Sequence, residues 1–308
     1  MNQAKPAPLV HRDNLLFTTA RSGSRLPNIV IATIVLLAML AVPFVIEEFL
    51  SRALFNDEEQ THSLPHIVIE WTVPFVLMIL LLAAWAVFYE KRPLRTVGFA
   101  GNSQLRKYGV GLLVGFGMAA GAVGLMAVTG HALPESEPTL PSGTAALGFV
   151  FLLLLIFVIQ GAAEELLLRG WFMPVVGARH GPWAGVVIST LLFAAFHGCT
   201  NTLATINFVL FALFLAFYCL HEQSICGACG WHAAWNWTQA NVFGLDVSGY
   251  PPEGGVLIDL QAAGSPLLSG GSYGPEGSLM GTIVLLGGVV AIILLARRRS
   301  LGSLIKRF

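Results

Sequence analysis

Three polar constellations stand out from an otherwise apolar chain. Glu164-Glu165-Leu166-Leu167-Leu168-Arg169 puts two adjacent carboxylates and a guanidinium at the end of a hydrophobic run that begins near Ala145. Ionisable groups at such depth are costly, so each needs a partner or a task. On a helix, Glu165 and Arg169 lie four apart on one face and can pair. Glu164 lies about 100° from Glu165 and about 140° from Arg169 at 3.6 residues per turn. One carboxylate is neutralised within its own helix. The other is left for something else: a general base, a metal ligand or a proton carrier. A blander alternative ends the helix in interfacial water with Arg169 snorkelling, and leaves no chemistry.

Phe193-Ala194-Ala195-Phe196-His197 places Phe193 and His197 on one helix face, and His232-Ala233-Ala234-Trp235-Asn236 does so for His232 and Asn236. A lone His on an apolar helix is more often a packing residue than a catalyst, so shared depth decides. Residues 177–182 form a turn; Glu164 stands 15 residues before Arg179 and His197 stands 18 after it. Both then sit about 20–27 Å up an antiparallel hairpin. His232 and Asn236 rise about 12–20 Å from the inner turn near 222–224, within reach if the helices tilt. The expectation is one polar pocket inside the bilayer, open to the cytoplasmic side.

The positioning elements must be membrane helices. The chain is 55% hydrophobic and 11% charged, with a mean hydropathy of +0.73, against about 25% charged in soluble domains. The fold class expected is all-α, a polytopic membrane helix bundle, and zero formal net charge argues against nucleic acid. Apolar segments at about 29–46, 67–88, 108–128, 145–161, 183–197, 203–220, 225–243 and 279–296 predict about eight transmembrane helices. The organisation read from them is a polar N-terminal tail over 1–28, N-terminal spans over 29–140 and a core over 141–244. An outer Gly/Pro-rich loop, the last helix and a basic tail fill 245–308. The tail is too long and too polar for a comfortable signal peptide. Gly111, Gly115, Gly117 and Gly121 suit close helix packing.

Lysines and arginines set the orientation. With the N-terminus inside, eight spans place both termini in the cytoplasm and put fifteen of the 17 Lys and Arg there. Arg169 lies within the membrane and Arg52 alone lies outside. The outer loops then hold Glu47, Glu48, Asp57, Glu58, Glu59, Glu135, Glu137, Asp246, Glu253, Asp259 and Glu276. Residues 244–277 suggest an ordered outer loop or a short re-entrant cap. Cys199, Cys219, Cys226 and Cys229 read as small packing residues, since Cys226-Gly-Ala-Cys229 has no second pair to complete a zinc site.

Glu-Glu-x-x-x-Arg, Phe-x-x-x-His and His-x-x-x-Asn, in this order on successive hydrophobic helices, resemble the CPBP family of intramembrane proteases. That family includes the type II CAAX prenyl endopeptidases and bacterial proteins of bacteriocin processing and immunity. The likeness covers roughly 145–243, with a weaker one over 269–278. It implies that Glu164 activates water, that His197 holds that water, and that His232 and Asn236 orient the scissile carbonyl and stabilise its oxyanion. Glu165 and Arg169 would be the supporting pair, with Phe193 beside them. An Asn amide is a donor of the kind oxyanion holes use.

Glu164, His197 and His232 could also form a zinc site with an open position for water. There is no His-Glu-x-x-His, and Asn236 suits carbonyl recognition better than ligation, so the metal-free reading is taken. The expected function is endopeptidase action on a membrane-associated or C-terminal peptide, possibly prenylated, in a bacterial plasma membrane. A non-enzymatic immunity or scaffold protein is the alternative, and a proton-coupled transporter the third. A transporter would suggest internal repeats, and none is seen.

Overall fold

The computed structural model describes residues 8–55, 63–198 and 201–305, with side chains to residue 298. Cys199, Asp57, Glu58, Glu59, Lys5, Lys306 and Arg307 lie outside the described residues, as does the Arg299 side chain.

A short helix, α1 (Leu15–Ala20), opens the chain, capped by the Asn14 side chain accepting from the Leu16 amide at 3.1 Å. Its Leu16, Phe17 and Ala20 are buried, so this part of the polar segment docks on the bundle. The long helices α2 (Ile29–Leu54), α3 (Leu64–Ala84) and α4 (Gln104–Val128) follow. Strand β1 (Ala132–Pro134) leads to α5 (Leu147–Glu165), a π-helical stretch Leu166–Phe172, and α6 (Met173–His180). Next come α7 (Pro182–Phe196), α8 (Thr202–Glu222) and α9 (Cys226–Trp237). Strand β2 (Leu260–Ala262), α10 (Pro266–Ser269) and α11 (Leu279–Ile305) complete the chain. The fold is an all-α bundle carrying one small antiparallel sheet, β1 with β2.

Among the described residues, six helices are long and apolar enough to cross a membrane. The other two of the eight apolar segments are shorter, α7 with 15 residues and α9 with 12. Every residue of α9 from Cys226 to Asn236 is buried. A helix enclosed by protein has no lipid thickness to match. This is an integral membrane protein with a helix at its centre.

Two glycines explain how α9 is enclosed. A Cβ at Gly111 would strike the Gly227 carbonyl, and one at Gly115 the Trp231 carbonyl. Gly117 and Gly121 face open space, so only part of the glycine run packs helices. Gly115→Ala is therefore expected to lower thermal stability in detergent by about 1–3 kcal/mol through overpacking. Gly117→Ala should be neutral or gain up to about 1 kcal/mol. Equal melting temperatures for the two variants would contradict this packing.

The connections gather at two ends. At the basic end the Arg21 guanidinium donates to the Ala178 carbonyl (2.9 Å), Arg179 to Leu26 (2.8 Å) and the Lys107 ammonium to Glu222 (3.0 Å). Glu90 and Arg92 pair there at 2.5 Å with both side chains fully buried. At the acidic end the segment after α9 is tied down by its backbone: the Leu257 amide donates to Asn241 (2.8 Å) and the Glu135 amide to Asp259 (2.9 Å). The outer loop is ordered.

Asp246 in this loop is held by burial at a pKa raised to about 6. The folded state then binds a proton more tightly than the unfolded chain does, so this group's contribution to stability is fully present below about pH 4 and is lost as pH rises through about 6. Thermal unfolding should show a melting temperature that drops over this window, and Asp246→Asn should flatten the drop.

Candidate active site

The site is built on α5. Gln160 and Glu164 lie one turn apart on the face that lines an internal cavity of about 660 Å3. Immediately after Glu165 the helix widens into its π-helical stretch, a form that recurs at functional sites. Across this widened turn the Arg169 guanidinium donates to Glu165 Oε1 at 2.8 Å, and both side chains are fully buried. The expected pair forms. Its other partner was not foreseen: Glu165 Oε1 also faces His232 Nδ1 at 3.0 Å. A carboxylate paired with arginine accepts, so Nδ1 carries the hydrogen and the Nε2 edge of the ring turns to Glu164. His232 Nε2 stands 3.9 Å from Glu164 Oε2. That separation is too long for a direct hydrogen bond and suits a shared water.

His197 caps α7. Its Nδ1 donates to the Phe193 carbonyl at 2.8 Å, which fixes the tautomer, since a carbonyl only accepts. Phe193 and Phe208 flank the ring, at centroid distances of 4.4 and 4.1 Å. Phe193 does a second job: the Arg169 guanidinium carbon lies 4.5 Å from its ring centroid. The Asn236 amide donates to Gln160 Oε1 at 3.2 Å, while its own oxygen accepts no hydrogen bond. Glu164, His197, His232 and Asn236 all line the same cavity.

Two lining residues were missed by sequence reasoning. Gln160 sits four before Glu164 in an apolar run, and that spacing was the available signal. Glu276, read as an outer-loop acid, is instead 2% exposed. It accepts from the Trp235 indole at 2.8 Å and from the Ser248 amide at 2.7 Å. Its signal was the weaker likeness over 269–278.

The cavity opens at the acidic end, not towards the basic end as expected. Its lining climbs α5 from Leu168 to Leu153 and reaches Glu47 on α2, Glu70 and Trp71 on α3, and residues 247–253. Towards the basic end the fully buried Trp171, Phe172 and Trp231 fill the bundle. Residue counting set the depth but could not see that floor.

The donors do not form a metal cage. Among the described residues no three His, Cys, Asp or Glu side chains are placed to hold a metal ion. Glu164, His197 and His232 are not among any such group as they stand. Cys219, Cys226 and Cys229 are buried free thiols, consistent with packing.

The apolar helix bundle thus holds a cavity lined by a carboxylate, two imidazoles and an amide. Residues 146–238, less than half of the chain, match the family model described as Rce1-like, type II CAAX prenyl endopeptidase Rce1-like, and over that stretch the chain is similar to this family. CAAX-type intramembrane peptide-bond hydrolysis is the general class of activity that goes with this family. No curated protein and no solved structure gives a match.

Proposed function

We propose that the chain is an intramembrane endopeptidase in which Glu164 activates the attacking water, carried by the core over 141–244. The supporting observation is the gap between Glu164 Oε2 and His232 Nε2, 3.9 Å inside a cavity large enough for a peptide. Water bridging these atoms loses a proton to Glu164 as its oxygen bonds to the scissile carbonyl carbon. Asn236 donates the amide hydrogen that Gln160 leaves free to the developing oxyanion, with His197 holding the water. The tetrahedral intermediate collapses as Glu164 returns the proton to the leaving amine and the C–N bond breaks.

The substrate is a membrane-associated peptide or a C-terminal one, prenylated peptides included, reached from within the lipid bilayer. The test is hydrolysis of synthetic membrane peptides by the purified protein in detergent, with products read by mass spectrometry. Cleavage that survives a chelator is expected. Loss of cleavage on chelation would end the metal-free mechanism. A Glu164→Ala protein that inserts correctly and keeps full cellular activity would favour a scaffold.

A further inference from the structure

Five glutamates line the cavity, namely Glu47, Glu70, Glu164, Glu253 and Glu276, and among the described residues no Lys or Arg does. Glu164 and Glu276 belong to the inner end. The other three gather at the mouth and are poorly compensated. Glu70 has His66 at 3.4 Å, and Glu253 accepts from the Trp71 indole at 3.0 Å. Glu47, 8% exposed, makes no hydrogen bond or ion pair among the described residues and shares the charge of nearby His66 with Glu70. Three carboxylates sharing one imidazole and drawn partly out of water would be stabilised by a cation. Asn241, 1% exposed, ties down this wall by donating its amide to the Glu253 and Gly255 carbonyls at 3.2 and 2.9 Å. Trp71 and Tyr250 meet edge to face at the mouth, 5.7 Å apart, and offer ring faces suited to a cation.

We infer that this mouth is a specificity subsite for a lysine or arginine side chain of the substrate, an inference that rests on the peptidase reading above. A bare metal ion is a poorer occupant, since no three of these side chains are placed to share one. A long flexible side chain can reach separate carboxylates. The spacing follows from α5. Leu153 packs with Ile67 and lies against Gly254, level with Glu70 and Glu253, and stands eleven residues before Glu164. That is about 16 Å along the helix. An extended peptide covers it in about five residues. The basic residue therefore sits about five positions from the bond that is cut.

Binding separates this inference from catalysis. Full-length Glu164→Gln protein in detergent is titrated with labelled apolar peptides carrying Lys, norleucine or Glu at one position, scanned along the chain. The Lys peptide should bind at least about tenfold tighter than its norleucine counterpart, with Glu weaker still. Salt should shrink the difference. Glu47→Gln, Glu70→Gln and Glu253→Gln combined should equalise the three peptides, and Glu70→Lys should favour Glu. These variants relieve repulsion and leave a side-chain acceptor at 253, so thermal unfolding should confirm an intact bundle. Equal affinities, including no binding, or a Lys preference that survives the triple substitution, would overturn the subsite. Absence of cleavage by the wild-type protein, with Lys-selective binding intact, would count against the peptidase reading alone.

Discussion

Glu164→Gln is expected to abolish peptide hydrolysis, by at least about 10³-fold in kcat, while leaving the bundle folded. A positioned general base contributes about 10²–10⁴-fold, and here the same group also returns the proton. The fold should tolerate the change because Glu164 carries no structural ion pair. Its side chain is 18% exposed, His232 Nε2 stands 3.9 Å away, beyond a direct hydrogen bond, and Arg169 is taken by Glu165. The glutamine keeps shape and loses basicity. Turnover in detergent and thermal unfolding of the same preparation are the two measurements. A variant that keeps more than a tenth of wild-type kcat would remove Glu164 from the chemistry. Asn236→Ala should act through kcat by about 10²–10³-fold, as loss of an oxyanion donor does.

What could be read in advance divides along a physical line. Glu165 with Arg169, and Phe193 with His197, are local pairs four residues apart, and helical periodicity alone sets them side by side. The contact of His232 with Glu165 spans 67 positions, so it depends on how two helices rotate about their axes. Apolar composition marks a helix but not which of its faces turns inward. Gly111 and Gly115 pack against α9 while Gly117 and Gly121 face open space, although all four lie in one run. The same limit hid Glu276, whose burial follows from the backbone turning inward before α11. Gly270 and Gly274, at φ +84 and +55, allow that turn, and side chains there would strike neighbouring carbonyls. The direction of the cavity depended on Trp171 and Phe172 plugging one end, a packing fact with no periodic trace.

Breaking the Glu165–Arg169 pair from one side should cost more stability than any other single change near the site. Both side chains are fully buried, and Arg169→Met would strand a carboxylate whose other oxygen already lacks a partner. Removing one member of a buried pair typically costs about 3–5 kcal/mol. Arg169 Nε and Nη2 are also unsatisfied, so the pair is an imperfect source of stability. Replacing both partners with apolar residues, Glu165→Leu with Arg169→Met, is therefore expected to recover most of the lost melting temperature. Activity should not return with it. The double variant leaves His232 Nδ1 with no acceptor at 165, so the imidazole loses the contact that aims Nε2 at Glu164. A stable, correctly inserted and inactive double variant would separate the pair's orienting role from its structural one. Recovery of activity along with stability would instead show that Glu165 only fills space, and that His232 is aimed by packing against Phe211, 5.0 Å away between ring centroids.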